Sequence, residues 1–277
     1  LSFGDLSGGN DGGDDASFAD AASDGDLVSD SGSPDALATD SGNPGDGGCS
    51  GTSGPTPIPV GSSGFCIDST EVTYRQYKQF LAALDAGATV TQPSYCSWNT
   101  TFVPVGTRSG DDLPMSDADW CDAHAYCEWA GKHLCGKIGG GSLPTTSFGD
   151  PTSSQWLAAC AHAPDGGLEQ YPYGDTYVKG NCNGSDIDSG TVFVVGSEPK
   201  CVGGYANLYD MSGNVDEWLD SCDGTTGADD CCLSAGGGYN DYGSGISCGV
   251  GDIIPPSCPG RTRQDAHGDL GFRCCSN

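Results

Sequence analysis

Positive charge is scarce in this sequence. Ten Lys and Arg stand against 38 Asp and Glu, giving a formal net charge of −28 at pH 7, and no basic side chain occurs before Arg75. Nucleic-acid binding needs a basic patch that displaces counterions, so that class is excluded. Adsorption to an anionic membrane surface is disfavoured for the same reason. Long apolar runs are missing too: nothing approaches the roughly 18 residues of a membrane span, so the chain is not expected to span one. No signal peptide is visible; a secreted protein would therefore be read here in its mature form, starting at Leu1 and not at a lipid-anchor cysteine. Histidine is limited to His124, His133, His162 and His267, which gives little support to a His-rich iron site. There is no G-x-S-x-G nucleophile motif, and Gly139-Gly140-Gly141 lacks the lysine of a phosphate loop.

Cysteine, by contrast, is abundant, with 16 in 277 residues. An even, high count spread along a chain points to disulfides formed in an oxidising compartment, and secretion or display at the cell surface is the expectation. Zinc sites show paired C-x-x-C or C…H spacings. Cys121, His124 and Cys127 come nearest, but they have no partner pair elsewhere.

Residues 1–60 differ from the rest. Gly, Ser, Asp, Ala and Pro dominate, and the run Pro55-Thr56-Pro57-Ile58-Pro59 closes the segment. Such a stretch buries too little apolar surface to offset its ordering entropy. It reads as an acidic arm: a spacer, or a segment that docks on a neighbour. Gly8 to Asp15 has a faint likeness to a Gly/Asp-rich calcium loop. The folded domain is expected over residues 61–277. Phe65–Asp68 looks like a strand. Apolar residues at Val72, Tyr77, Phe80, Leu81 and Leu84 predict a helix capped by Thr73. A second helix is expected over Asp117–Gly131 and a third over Ser153–His162, with short strands at Val192–Val195, Glu217–Leu219 and Gly271–Cys274.

Six strings then stand in one order: Asp68-Ser-Thr-Glu-Val-Thr-Tyr-Arg-Gln-Tyr-Lys-Gln-Phe80, Ala125-Tyr-Cys-Glu-Trp-Ala-Gly-Lys-His-Leu134, Gln155-Trp-Leu-Ala-Ala-Cys160, Tyr171-Pro-Tyr-Gly174, Tyr209-Asp-Met-Ser-Gly-Asn-Val-Asp-Glu-Trp218 and Gly268-Asp-Leu-Gly-Phe-Arg-Cys274. Together they resemble the formylglycine-generating enzyme family, with Asp216 standing where Trp is usual. The resemblance implies an α+β fold of the C-type-lectin-like kind, rich in loops. Family enzymes oxidise a sulfatase cysteine to formylglycine with copper bound by a cysteine pair that follows an R-G-G-S-[WY] motif. Here that motif reads Ala235-Gly-Gly-Gly-Tyr239, and the pair falls at about Asp241 and Ile246. Neither supplies the thiolate a Cu(I) site needs, so copper is not expected and catalysis by that route is doubtful. Cys248 with Cys258 as a displaced pair is the counter-reading.

The resemblance also implies structural Ca2+. One site would use Asp210 and Glu217 with the carbonyls of Gly213 and Val215; a second would use Asn181, the Cys182 carbonyl and an aspartate, Asp186 or Asp188. Two bridges carry over from the family, Cys127–Cys274 and Cys160–Cys248. Closeness in sequence suggests Cys121–Cys135, Cys182–Cys201 and Cys222 with Cys231 or Cys232, leaving Cys49, Cys66, Cys96, Cys258 and Cys275 unassigned. The expected function is a non-catalytic extracellular structural or binding module, engaging a cell-surface component or assembling with itself into an oligomer or fibre through residues 1–60. The alternatives are a diverged copper oxidase and a calcium-dependent glycan-binding module.

Overall fold

The computed structural model describes residues 48–49, 51, 53–106, 109–162, 166–187, 189–249 and 261–277. Of the expected arm over residues 1–60, residues 1–47 lie outside them, as do Asp188 and Cys258. Three helices and two small sheets carry the described fold.

Each helix starts where a polar side chain takes up an orphan N–H. Helix α1, Tyr74–Asp85, opens with a reciprocal capping box. The Gln76 amide N–H donates to Thr73 Oγ1 at 3.3 Å, and the Thr73 N–H donates to Gln76 Oε1 at 2.9 Å. Helix α2, Trp120–Trp129, repeats the device with Asp119 and Asp122. Helix α3, Gln155–Cys160, is capped by Ser154, which accepts from the Leu157 amide. α1 buries the face made by Tyr74, Tyr77 and Phe80, whereas α2 is buried on almost every side. Tyr77 stacks on Tyr126 with ring centroids 5.7 Å apart, and Phe272 meets Tyr126 edge-on at 5.4 Å. Fully burying side chains of this size is worth about 1.5–3 kcal/mol each.

The first sheet runs β1 (Pro57–Pro59), β2 (Cys66–Asp68), β7 (Cys274–Ser276), β3 (His133–Leu134), all antiparallel. The second runs β5 (Cys232–Ala235), β4 (Asp216–Cys222), β6 (Leu270–Gly271), with β4 and β6 parallel. Two tryptophans tie α2 to β4 in both directions. Trp120 Nε1 donates to the Leu219 carbonyl at 2.7 Å, and Trp218 Nε1 donates to the Ala118 carbonyl at 3.1 Å.

Three expectations change. β1 falls inside the stretch read as arm: it pairs with β2, and Cys49 is bridged to Cys66, so structure begins ahead of residue 61. Val192–Val195 is not a strand. The Phe193 amide donates to the Asn214 side chain and the Val195 amide to the Asp112 carbonyl, so this apolar run spends its backbone groups on scattered acceptors. The expected bridge Cys121–Cys135 is also overturned. Cys121 opens α2 facing the short turn Ser94–Cys96 and bonds Cys96, while Cys135 lies just past the β3–β7 register and bonds Cys275.

The other described bridges join Cys127 to Cys274, Cys160 to Cys248, Cys182 to Cys201 and Cys222 to Cys232. Cys231 is disulfide-bonded as well, and no described cysteine is free. Adjacent strand residues point to opposite faces, which lets the neighbours Cys274 and Cys275 reach different partners. Their bridges close sequence spans of 147 and 140 residues, so each keeps the other's loop closed. Replacing Cys127 and Cys274 by Ala alone is therefore expected to cost about 3 kcal/mol, the value for a short residual loop. Replacing Cys135 and Cys275 in that background is expected to cost about 5 kcal/mol more, because the long loop then opens. Urea unfolding of the single- and double-bridge variants measures both steps.

Candidate functional site

The loop after β5 carries the positions at which a redox cysteine pair would sit. Gly236, Gly237 and Gly238 turn the chain back beneath it. Gly237 has φ +66°, and a Cβ there would lie 2.0 Å from the Gly245 carbonyl oxygen, so the loop rests directly on the turn. Gly184 forms the floor on the other side: a Cβ on it would come within 2.9 Å of the Asp241 carbonyl oxygen and 3.0 Å of Ile246 Cδ1. Positions 241 and 246 thus converge on Gly184, as a paired site requires.

The side chains there cannot perform thiol chemistry. Asp241 turns its carboxylate back to accept from the Gly238 amide at 3.0 Å, and its carbonyl accepts from Ser185 at 2.7 Å. Burial raises the Asp241 pKa, and the charges of Asp216 and Asp269 push the same way. Ile246 is buried against the Cys182–Cys201 bridge, with Tyr173 and Tyr177 packed around it. Cys248 is bonded to Cys160, which removes one member of the displaced pair. Asp216, the departure from the family pattern, forms an ion pair with Arg261 at 2.7 Å and accepts from Ser234 and the Gly237 amide. It stitches the turn to β4 by charge.

Behind this loop lies a buried charge network. Arg273 is fully buried, and its Nε and Nη2 donate to both oxygens of Glu217 at 2.7–2.9 Å. Nη1 donates to the Asp68 carbonyl and Nη2 to the Tyr209 carbonyl, each at 2.9 Å. Trp156 Nε1 donates to Glu217 Oε2 at 2.8 Å. Asp210, at φ +57°, accepts from the Gly196 amide. Glu71 accepts from Asn214 through Oε1 at 2.9 Å, while its Oε2 is buried with no hydrogen-bond partner. Burial, with the neighbouring Asp210 charge, holds the Glu71 carboxyl well above the usual carboxylate range, and burial lifts Asp210 to about 6. Three buried acids therefore face one buried guanidinium.

The residues of the first expected metal site are held together on one turn, Asp210 to Glu217. Gly213 has φ +72° and so little room that a Cβ would lie 2.3 Å from the Asn183 carbonyl oxygen. Glu217, however, commits both oxygens to Arg273 and Trp156. The uncommitted oxygen in this cluster belongs to Glu71. For the second site, Asp188 lies outside the described residues. Asp186 buries both carboxylate oxygens without a hydrogen-bond partner, and Cys182 is bridged to Cys201. Among the described residues no group of three or more His, Cys, Asp or Glu has the geometry to hold a metal by side chains alone. The roles of Glu71 and Arg273 were not foreseen, although both residues lie inside the opening and closing strings that carry the resemblance.

A disulfide-stapled α+β domain with two small sheets, a loop resting on Gly184 and a buried Arg–carboxylate network defines the class. Residues 48–277 match the sulfatase-modifying factor enzyme 1-like domain family, and the chain belongs to it. Its fold is the C-type-lectin-like one of formylglycine-generating enzymes. Among the relatives is the mouse inactive C-alpha-formylglycine-generating enzyme 2, 28% identical over 182 residues, covering 62% of this chain and 52% of that one. Another is the serine/threonine-protein kinase pkn1 of Chlamydia pneumoniae, 28% identical over 179 residues, covering 59% of this chain and 24% of the kinase. The chain thus spans about half or less of these relatives' lengths. The crystal structure of CarF is similar at a TM-score of 0.48 and 25% identity, covering 76% of this chain and 85% of that one.

Replacing Arg273 by Met is expected to cost about 3–5 kcal/mol, because it strands the Glu217 carboxylate in the interior. Adding Glu217→Gln should recover much of that loss. A double-mutant cycle by urea unfolding checks the coupling; additive losses would show that the pair does not act as a unit.

Proposed function

We propose that this chain is a non-catalytic binding or structural domain on a formylglycine-generating-enzyme scaffold, working outside the cell or at its surface. One observation carries the reading. The loop that should present two thiolates presents Asp241 and Ile246, and every described cysteine is already in a disulfide. Copper has no soft ligand there, and a carboxylate beside an aliphatic side chain has no two-electron redox chemistry to offer. The disulfides themselves call for an oxidising compartment, which supports secretion or surface display. No helix among the described residues is long and apolar enough to cross a membrane. On this reading the partners are a cell-surface component, or further copies engaged through the acidic residues 1–60. The test is direct: the protein reconstituted with Cu(I) and a C-x-P-x-R peptide is expected to yield no formylglycine by mass spectrometry. Formation of the aldehyde above the protein-free background would overturn the reading.

Structural Ca2+ is part of the proposal. The donor chemistry fits a hard cation: Asp210, the carbonyls of Gly213 and Val215 and the unpartnered Glu71 Oε2 are all oxygens. The cluster also carries more negative charge than Arg273 offsets. A bound divalent ion would supply the missing positive charge and stiffen the turn from Asp210 to Glu217. Calcium is expected to raise the melting temperature over that in EDTA, and Asp210→Asn is expected to abolish the increment. An unchanged melting curve for the unaltered protein in calcium would rule this site out.

A further inference from the structure

A cavity of about 330 Å3 opens beside the C-terminal end of β4, away from the loop of Asp241 and Ile246. Tyr95, Ser142, Asp220, Asp223 and Arg263 are among the residues that line it. Its volume is that of roughly ten water molecules, enough for one extended polar side chain.

The charges in the wall decide what fits. Arg263 is the only cation among its lining residues; its charge is paired with Asp230, and its Nη1 is buried with no hydrogen-bond partner. Its guanidinium lies 4.2 Å from the Tyr95 ring centroid and 4.5 Å from that of Trp120. Nη2 pairs with Asp230 at 3.2 Å and donates to the Gly224 carbonyl, and Nε donates to the Gly227 carbonyl. The charge of Arg263 is thus offset by Asp230, and its Nε and Nη2 are aimed at the loop carbonyls. Asp220 and Asp223 make no ion pair among the described residues. Asp223 gives one oxygen to the Cys231 amide. Asp220 is fixed through its backbone, donating to the Cys135 carbonyl and accepting from the Leu143 amide. Burial holds the Asp220 carboxyl above its ordinary range against the opposing pull of Ser142, His133 and Arg263. The wall itself is rigid, since the Cys222–Cys232 bridge closes its base and Asp230 ties the loop down at Thr226 and Gly227.

We propose that this cavity receives a cationic side chain, the alkylammonium of a lysine presented by a basic partner protein. Asp220 and Asp223 are two carboxylates that make no ion pair among the described residues, in a preformed site. An ammonium donates to both, and the Ser142 and Tyr95 hydroxyls can accept from it as well. An anionic ligand would meet two carboxylates against one guanidinium whose charge Asp230 already offsets. The overall charge of −28 steers basic partners to the surface. This deepens the binding-domain reading by naming the partner's chemistry, and the formylglycine assay and the present test fail independently of one another.

The test is a titration of the full chain with Nα-acetyl-lysine methylamide, followed by amide chemical shifts or calorimetry. The norleucine analogue serves as a neutral isostere, and glucose and Ca2+ serve as competing ligand classes. Saturable binding of the lysine probe alone is expected, weakened about tenfold or more by Asp220→Asn and by Asp223→Asn. Asp150→Asn, on a separate loop, should leave it unchanged. Near-UV circular dichroism and non-reducing peptide maps show that each variant keeps its fold. Equal binding of the norleucine analogue, indifference to both cavity substitutions, or shifts at these residues with glucose or Ca2+ but not with lysine would each overturn the proposal.

Discussion

The buried guanidinium of Arg273 is the point at which both sheets meet. It sits immediately before Cys274 and Cys275, donates to Glu217 on β4, and reaches the carbonyls of Asp68 on β2 and Tyr209 ahead of the turn. Arginine suits the position because its planar fork satisfies a carboxylate and two carbonyls at once. A buried ion pair is weak evidence for net stability, since desolvation offsets much of the attraction. Its value here is positional: once Arg273 is seated, the next two residues can only project to α2 and to the end of β3, where Cys127 and Cys135 wait. A second buried pair, Lys132 with Asp68 at 2.5 Å, works the same way. Lys132 also donates to the Pro55 carbonyl, fastening the segment ahead of β1 to the turn between α2 and β3.

That arrangement explains how the scaffold persists without its redox pair. None of the described cross-links, the Arg273 network or the Trp120 and Trp218 ties between α2 and β4 passes through the side chains at 241 and 246. The loop is held by backbone contact with the glycine turn and with Gly184, and those contacts accept any side chain that fits. Ile246 fills its place as an apolar plug, and Asp241 closes a local turn onto Gly238. Chemistry and fold are separable at this loop, which is why a family fold carries no guarantee of the family reaction.

Much of the fold was legible because local and global signals agree. Thr73, read as the cap of the first helix, caps it; the helices expected over Asp117–Gly131 and Ser153–His162 form over narrower spans, capped by Asp119 and Ser154. The six ordered strings marked the rest of the frame, and the Cys127–Cys274 and Cys160–Cys248 bridges follow from them. Cys96 was out of reach, since it sits in a single turn whose nearness to α2 depends on tertiary packing. Cys135 misled because sequence proximity favoured Cys121, whereas the antiparallel register of β3 and β7 carries it to Cys275. Val192–Val195 has strand composition, but composition cannot show that Asn214 will capture the Phe193 amide before any strand can. The uncommitted Glu71 oxygen was equally hidden, because only the structure shows Glu217 fully used by Arg273.

The folding of this chain consumes its few cations. Of ten Lys and Arg, Lys132, Arg263 and Arg273 are buried in ion pairs, and Arg261 is half-buried against Asp216. Among the 38 acids the described buried ones are Asp68, Glu71, Asp122, Asp210, Glu217 and Asp230, a smaller share. The described interior therefore takes up cations in greater proportion than acids, three of ten against six of 38, and what remains outside it is proportionally more acidic than composition alone suggests. Self-repulsion on such a surface opposes compaction, and the bridges offset it by restricting the unfolded chain. The same asymmetry bears on the partner chemistry proposed for the cavity of Asp220 and Asp223: a surface with so few cations left disfavours anionic ligands and favours basic groups.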